Sequence, residues 1–275
     1  VKILCCGDVV GKSGRQMIED HIPDLRRRLG LDLVVVNGEN AAHGFGITEK
    51  ICQSFYDAGV DVITTGNHVW DQREIMNYID GDPRLLRPLN YPKGTPGKGS
   101  VIVEAANGAR VLVVHAMGRL FMDPLDDPFF GVDKALASHE VGKTVDAVVL
   151  DMHADITSEK MAMGHYCDGR VSAVVGTHSH VPTADAQVLP GGTAYQTDMG
   201  MCGDYDSVIG MVKEMAIARF TSKLPTGRLA PAEGPGTLCG VFIETDDGTG
   251  LARRVEPLRV GGRLSQAVPG LSPRI

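Results

Sequence analysis

Eight short apolar runs, each closed by a glycine or a polar residue, set the terms on which this chain can fold. They are Ile3–Cys6, Leu33–Val36, Val60–Thr64, Val101–Val103, Val111–Val114, Ala147–Leu150, Val171–Val175 and Val241–Ile243. A strand with one face in water alternates polar and apolar residues, whereas these runs are continuous and rich in β-branched side chains. They therefore read as strands buried on both faces. Helix-like stretches separate many of them. Gln16–Leu29 is amphipathic with a basic face and carries Pro23 as a candidate break. Thr48–Ala58 has Thr48 as N-cap and Gly59 as stop, and Gln72–Ile79, Ser158–Tyr166 and Val208–Phe220 follow the same pattern. Strands alternating with helices predict an α/β fold. Turn signals at Gly94–Gly99 and Asn107-Gly108 bracket Val101–Val103 and add antiparallel strands. The expectation is two packed mixed β-sheets flanked by helices, forming one domain over residues 1–275, with no internal repeat and no linker. Leu120–Gly131 reads as a long irregular loop: a lid, a contact with a second copy in a homo-oligomer, or neither. The tail Gly261–Ile275 is expected to lie partly over the surface.

Charge narrows the partners. With Lys+Arg 27 against Asp+Glu 34, the net charge is −7, which opposes long nucleic acids because their binding depends on many phosphate contacts from Lys and Arg. A small phosphate ester remains admissible where bound cations reverse the local sign. No apolar stretch is long enough to cross a bilayer, and Val1-Lys2-Ile3-Leu4 runs directly into strand pattern, without a leader-like segment. The six cysteines show neither a CxxC pair nor regular spacing. Reduced thiols in a cytoplasmic protein are the expectation, and neither a zinc knuckle nor a disulfide framework is.

Polar residues fall where the strands end. Ile3–Cys6 leads into Gly7-Asp8, Leu33–Val36 into Asn37-Gly38-Glu39-Asn40, and Val62–Thr65 into Gly66-Asn67-His68. Ala147–Leu150 leads into Asp151-Met152-His153, and Val171–Val175 into Gly176-Thr177-His178-Ser179-His180. Ligands of open α/β sheets gather outside the carboxyl ends of the strands. Singly, Gly-Asp and Asn-Gly are ordinary turns and a lone His is ordinarily structural. Two imidazoles at alternate positions of an extended segment can address one site, and five strand ends carrying Asp, Glu, Asn and His together are not a packing pattern.

In this order the motifs resemble the signature of the calcineurin-like metallophosphoesterases. The wording Gly-Asp-Val-Val-Gly and Asn-Gly-Glu-Asn is similar to its YmdB-like bacterial branch, from Lys2 to about Gly203. The resemblance implies a four-layer sandwich of two sheets and flanking helices. It also implies two divalent metal ions, Fe or Mn before Zn, one held by Asp8, Glu39, Asn40 and His180 and the other by Glu39, Asn67, His153 and His178. Glu39 would bridge them. The broad superfamily has Asp-x-His at its first motif, whereas Val9 and Val10 follow Asp8 here; Asn40 would fill the ligand position so opened. Oxygen and imidazole donors without thiolate suit these metals. A pair about 3.5–4 Å apart can share a hydroxide that attacks phosphorus in line, and His68 would protonate the leaving oxygen as general acid. The implied activity is phosphodiester hydrolysis of cyclic nucleotides, 2′,3′- or 3′,5′-cyclic, or both. A phosphomonoesterase on the same core and a regulatory nucleotide-binding protein with little turnover are the alternatives.

Other residues are weighed more lightly. His43 follows the second motif and is a substrate-contact candidate, and His115 closes a strand run near the expected site. His21, His139 and His165 read as surface or packing residues, Thr197-Asp198-Met199-Gly200 as a support for the site, and Met161, Met163, Met211 and Met215 as core. Gly7-Asp8-Val9-Val10-Gly11-Lys12-Ser13 mimics a phosphate-binding P-loop, but three residues separate its glycines where that loop needs four.

Overall fold

The computed structural model describes residues 1–222 and 227–270. Its first sheet is built on four parallel strands, β1 (Lys2–Cys6), β3 (Leu33–Asn37), β4 (Val62–Thr64) and β5 (Leu85–Leu86). Antiparallel β13 (Gly236–Thr245) joins β1, and β14 (Ala252–Gly261) joins β13. Short β2 (Asp8–Val9) pairs in parallel with β12 (Met201–Asp204), which returns to β13. The second sheet runs β10 (Gln187–Val188), β11 (Ala194–Gln196), β9 (Ala173–Thr177), β8 (Ala147–His153), β7 (Arg110–Met117), β6 (Ser100–Glu104), with antiparallel pairing at both edges and parallel pairing between.

Successive side chains of a strand point to opposite faces, and here both faces are covered. Ile3, Cys5, Leu33, Val35 and Val62 meet Val111, Val113, Ala147, Val149 and Ala173 in a core between the sheets. Their neighbours Leu4, Cys6, Val34, Val36 and Ile63 pack outward with Ile18, Ile22 and Leu25 of α1 (Gly11–Leu29) and Cys52 and Phe55 of α2 (Glu49–Asp57). On the far side Leu112, Val114, Val148, Leu150 and Val174 pack against Val132 and Leu136 of α4 (Pro128–Leu136) and Met163 of α5 (Thr157–Tyr166). Helix, sheet, sheet, helix is the expected order of layers. The short α3 (Ile75–Tyr78) and α6 (Lys213–Thr221) complete the helices of the described residues.

Several expectations need correction. Val101–Val103 is a strand, but an edge one, half-buried along most of its length. Pro23 does not break α1, because Ile18, Ile22 and Leu25 on its buried face keep the helix docked. Gln72–Ile79 shrinks to the four residues of α3, and Val208–Phe220 starts only at Lys213: Ile209 has φ 47 and Gly210 φ 90, incompatible with a helix. The last third of Leu120–Gly131 is the start of α4, where the Asp127 carboxylate accepts from the backbone N–H of Phe129 and Phe130. Met163 and Met211 are core, Met215 is half-buried, and Met161 is 44% exposed. Of the tail, Ala267 bridges to Arg259, while 271–275 lie outside the described residues. Among the described residues no helix is long and apolar enough to cross a membrane.

Candidate metal centre

Parallel pairing puts the carboxyl ends of β1, β3 and β4 on one rim of the first sheet and those of β8 and β9 on one rim of the second. The two rims converge, so residues far apart in sequence share one cleft. Glu39 is the common member of two donor sets, Glu39 with His153 and His178, and Asp8 with Glu39 and His180; within each set the ligand atoms lie within 4.8 Å of one another. Asp8, Glu39, Asn40, His153 and His180 are buried, and Asn67, His68 and His178 are half-buried at the mouth.

His153 Nε2 lies 3.3 Å from Glu39 Oε2, 3.1 Å from Asn67 Oδ1 and 3.1 Å from His178 Nδ1. His180 Nε2 is 3.9 Å from Asp8 Oδ1, and its Nδ1–H donates to the Ile209 carbonyl at 2.8 Å. That bond leaves Nε2 with its lone pair toward Asp8, the usual way a protein orients an imidazole ligand. The left-handed backbone at Ile209 is what delivers this carbonyl. His178 and His180 themselves have φ 95 and 65, values that non-glycine residues adopt at a cost and that cluster at functional sites. The strain is held from below: the backbone N–H and hydroxyl of Ser179 donate to Asp198 at 3.0 and 2.7 Å, and buried Lys160 pairs with the same carboxylate at 2.8 Å. Asp198 thus supports the site, as the sequence led one to expect.

Gly66 is needed where it stands. A Cβ there would meet Glu39 Oε2 at 2.2 Å and His153 Nε2 at 2.3 Å. The backbone N–H of His68 donates to Glu39 Oε2 at 3.3 Å, and its ring Nδ1 lies 3.0 Å from Asp71 Oδ2, with Phe45 packed edge-on.

The proton affinities are as unusual as the geometry. Burial outweighs the pull of His180 and His153 and lifts Asp8 to about 6. Burial acts upward on Glu39 too, yet the charge and hydrogen bond of His153, with His68 and His178, hold it well below the usual carboxylate range. Burial alone would lower His153; Glu39, Asp8 and Asp151 together lift it to about 9. Burial and the neighbouring His153 push His178 down to about 3. Displaced values of this kind concentrate at functional sites.

Asn40 supplies the test of fit for cations. Its Nδ2 donates to the Gly44 carbonyl at 3.1 Å, but its buried Oδ1 has no hydrogen-bond partner. An orphaned amide oxygen is costly in a protein interior, and a hard cation beside Asp8 and Glu39 would satisfy it. The donor set, carboxylate and amide oxygens with imidazole nitrogens, fits a divalent metal.

The remaining sequence candidates separate. His43 is exposed, with φ 54, on the loop beyond Asn40. His115 does not close its strand: it is buried two residues inside β7, its ring 6.1 Å from that of His153. His21 and His165 lie on helices α1 and α5, whereas His139 follows α4 in a turn. Ser13, from the P-loop-like stretch, spends its hydroxyl on the Gly234 carbonyl. Asp151 and Thr177 carried no role in the sequence reading, although Asp151 sits two residues before His153 and so shares its face of β8.

Comparison with known proteins identifies the family. A family model described as YmdB-like protein matches residues 4–258. The chain is 50% identical, over 94% of its length and 97% of the other, to a Bacillus subtilis protein named 2′,3′-cyclic-nucleotide 2′-phosphodiesterase. The crystal structure of a hypothetical protein from Thermus thermophilus superposes with a TM-score of 0.89 at 42% identity, covering 96% of this chain and 100% of that one. The crystal structure of a protein described as a novel phosphatase, from Mycoplasma pneumoniae, does so with 0.88 at 33%, covering 98% and 95%. Residue order, fold and strand-end donors lead to one assignment: the chain belongs to the YmdB-like family of calcineurin-like metallophosphoesterases.

Proposed function

We propose that the protein is a phosphodiesterase that hydrolyses cyclic nucleotides on two divalent ions. In this reading Asp8, Glu39, Asn40 and His180 hold one ion, Glu39, Asn67, His153 and His178 hold the other, and His68 is the proton donor. The observation that carries it is Glu39 shared between two donor sets, with the unpartnered Asn40 Oδ1 beside it. Two cations held there would neutralise phosphoryl charge and supply a water acidic enough to serve as nucleophile at neutral pH.

The chain's own residues do the rest. His68 keeps 28% of its side chain exposed, enough to meet a substrate at the mouth. Asp71 takes its Nδ1 and orients the ring, leaving Nε2 to deliver a proton to the departing oxygen. His43, exposed on the loop beyond Asn40, is assigned to contact with the substrate. The cyclic-nucleotide preference draws on the named activity of the Bacillus subtilis relative. The Mycoplasma pneumoniae relative, described as a phosphatase, favours the second reading, a monoesterase on the same centre.

The deciding experiment assays 2′,3′- and 3′,5′-cyclic nucleotides, linear diesters and monoesters, each with Mn²⁺, Fe²⁺ and Zn²⁺. Turnover of a cyclic nucleotide above the monoesters is expected. Preference for monoesters would establish the second reading, and binding without turnover would leave a regulatory protein.

A further inference from the structure

Beneath the two donor sets lies a buried polar layer to which no chemical role has been given. Its hub is Asp151, 1% exposed. Asp151 Oδ1 accepts from the Thr177 hydroxyl at 2.7 Å, and Oδ2 accepts from the Thr64 hydroxyl at 2.6 Å and from Asn37 Nδ2 at 3.3 Å. Thr64 and Asn37 belong to the first sheet, and Asp151 and Thr177 to the second, so one carboxylate ties the sheets together at the rim that carries the centre.

The donor count fixes a direction. A threonine hydroxyl has one proton, and a carboxylate can only accept. Thr177 therefore gives its proton to Asp151, and its oxygen receives the Nδ1–H of His153, 2.9 Å away. With the His153 proton on Nδ1, the lone pair of the neutral ring is on Nε2, the atom beside Glu39 and Asn67. The other arm of the hub ends on the same centre: Asn37 Oδ1 accepts from the backbone N–H of Glu39 at 3.1 Å. Two hydrogen-bonded paths thus run from Asp151, one to the imidazole of a ligand candidate of the second sheet and one to the backbone of Glu39 in the first.

We propose that Asp151 and Thr177 are positioning residues of the metal centre. Thr177 holds His153 in the tautomer that can ligate, and Asp151 sets His153 in register with Glu39 across the sheet interface. The proposal rests on the metal reading above, and its test keeps the two separable. Zn²⁺ is titrated into wild type, Thr177→Val, Thr177→Ser and Asp151→Asn against a chromophoric chelator. Partners behind a metal-bound histidine are worth about 10–100-fold in affinity. Thr177→Val is expected to weaken one of the two sites by that factor and leave the other little changed, with Thr177→Ser restoring it. Asp151→Asn, which puts an N–H₂ where two donors now point, is expected to weaken the same site at least as much. Wild-type affinity in Thr177→Val, or in Asp151→Asn, would overturn the proposal, as would a Ser variant as weak as the Val variant. Should Thr177→Val fail to fold, the wild type decides: nitrogen NMR of the Zn²⁺-loaded protein is expected to find the His153 proton on Nδ1, and a proton on Nε2 overturns it. A wild type that takes up no Zn²⁺ defeats the metal reading alone. The same spectrum of the metal-free protein then judges the tautomer by itself.

Discussion

Asn40 does two jobs with one amide. Its Nδ2 fastens the following loop through Gly44, and its Oδ1 is left bare in the interior. Asn40→Ala removes the oxygen but leaves Asp8, Glu39 and His180 in place. One ion is expected to bind more weakly than the other, with activity partly regained at high Mn²⁺; unchanged affinity at both sites would make Asn40 a loop residue only. His68 calls for a comparison between substrates. Protonation matters when the leaving group is a ribose alkoxide and little when it is a nitrophenolate. His68→Ala is therefore expected to slow cyclic and alkyl diesters by about 10²–10⁴-fold and an aryl ester much less, with both ions retained. Equal losses on both substrates would point to phosphate binding instead, and a lost ion would make His68 a ligand.

At the scale of elements, the loops after strands carry the candidate ligands, with left-handed backbone at His178 and His180. The turn after β4 brings Gly66 against Glu39 and His153 with no room for a side chain. Gly66→Ala is expected to keep the far-ultraviolet circular dichroism of the fold and to lose ion uptake, because Glu39 and His153 are the atoms that would have to move. Full ion content in that variant would show that the turn relaxes. The segments that the sequence pattern misassigned have tertiary reasons. Ile209 and Gly210 take left-handed backbone to bring a carbonyl to His180, overriding the helical periodicity of Val208–Phe220. The helical pattern around Asp127 went unseen because Pro124, Asp126, Asp127 and Pro128 read as loop residues, although Asp127 and Pro128 are a cap and a first-turn proline.

For the whole molecule, the centre lies where two sheets meet, so ions bound there would hold the halves of the sandwich to each other. Ligands selective for the folded state stabilise it by mass action. Free Mn²⁺ at 100 times its Kd is worth about 2.7 kcal/mol, which for a chain of this size is roughly 5 °C in Tm. Thermal unfolding with Mn²⁺ and after chelation is expected to differ by that amount in the wild type and by much less in Glu39→Ala. A Tm indifferent to metal would sink the reading of a centre shared between the sheets.

The sequence alone determined the layers and singled out most of the candidate donors. Continuous apolar runs such as Leu33–Val36 demand cover on both faces wherever they lie, and that is a local property of the chain. Asp8, Glu39, Asn67, His153, His178 and His180 stand out for an equally local reason: each follows or closes a buried strand. Tertiary structure decided which strands became neighbours, and with them everything that depends on a partner distant in sequence. The Ile209 carbonyl behind His180, the Asp198–Lys160 pair under Ser179 and the Asp151 hub between Thr177 and Asn37 are contacts of 29, 38, 26 and 114 residues' separation. Hydrogen bonds of that span are set by sheet pairing and by the packing of one sheet on the other, and no periodicity within a single segment encodes them.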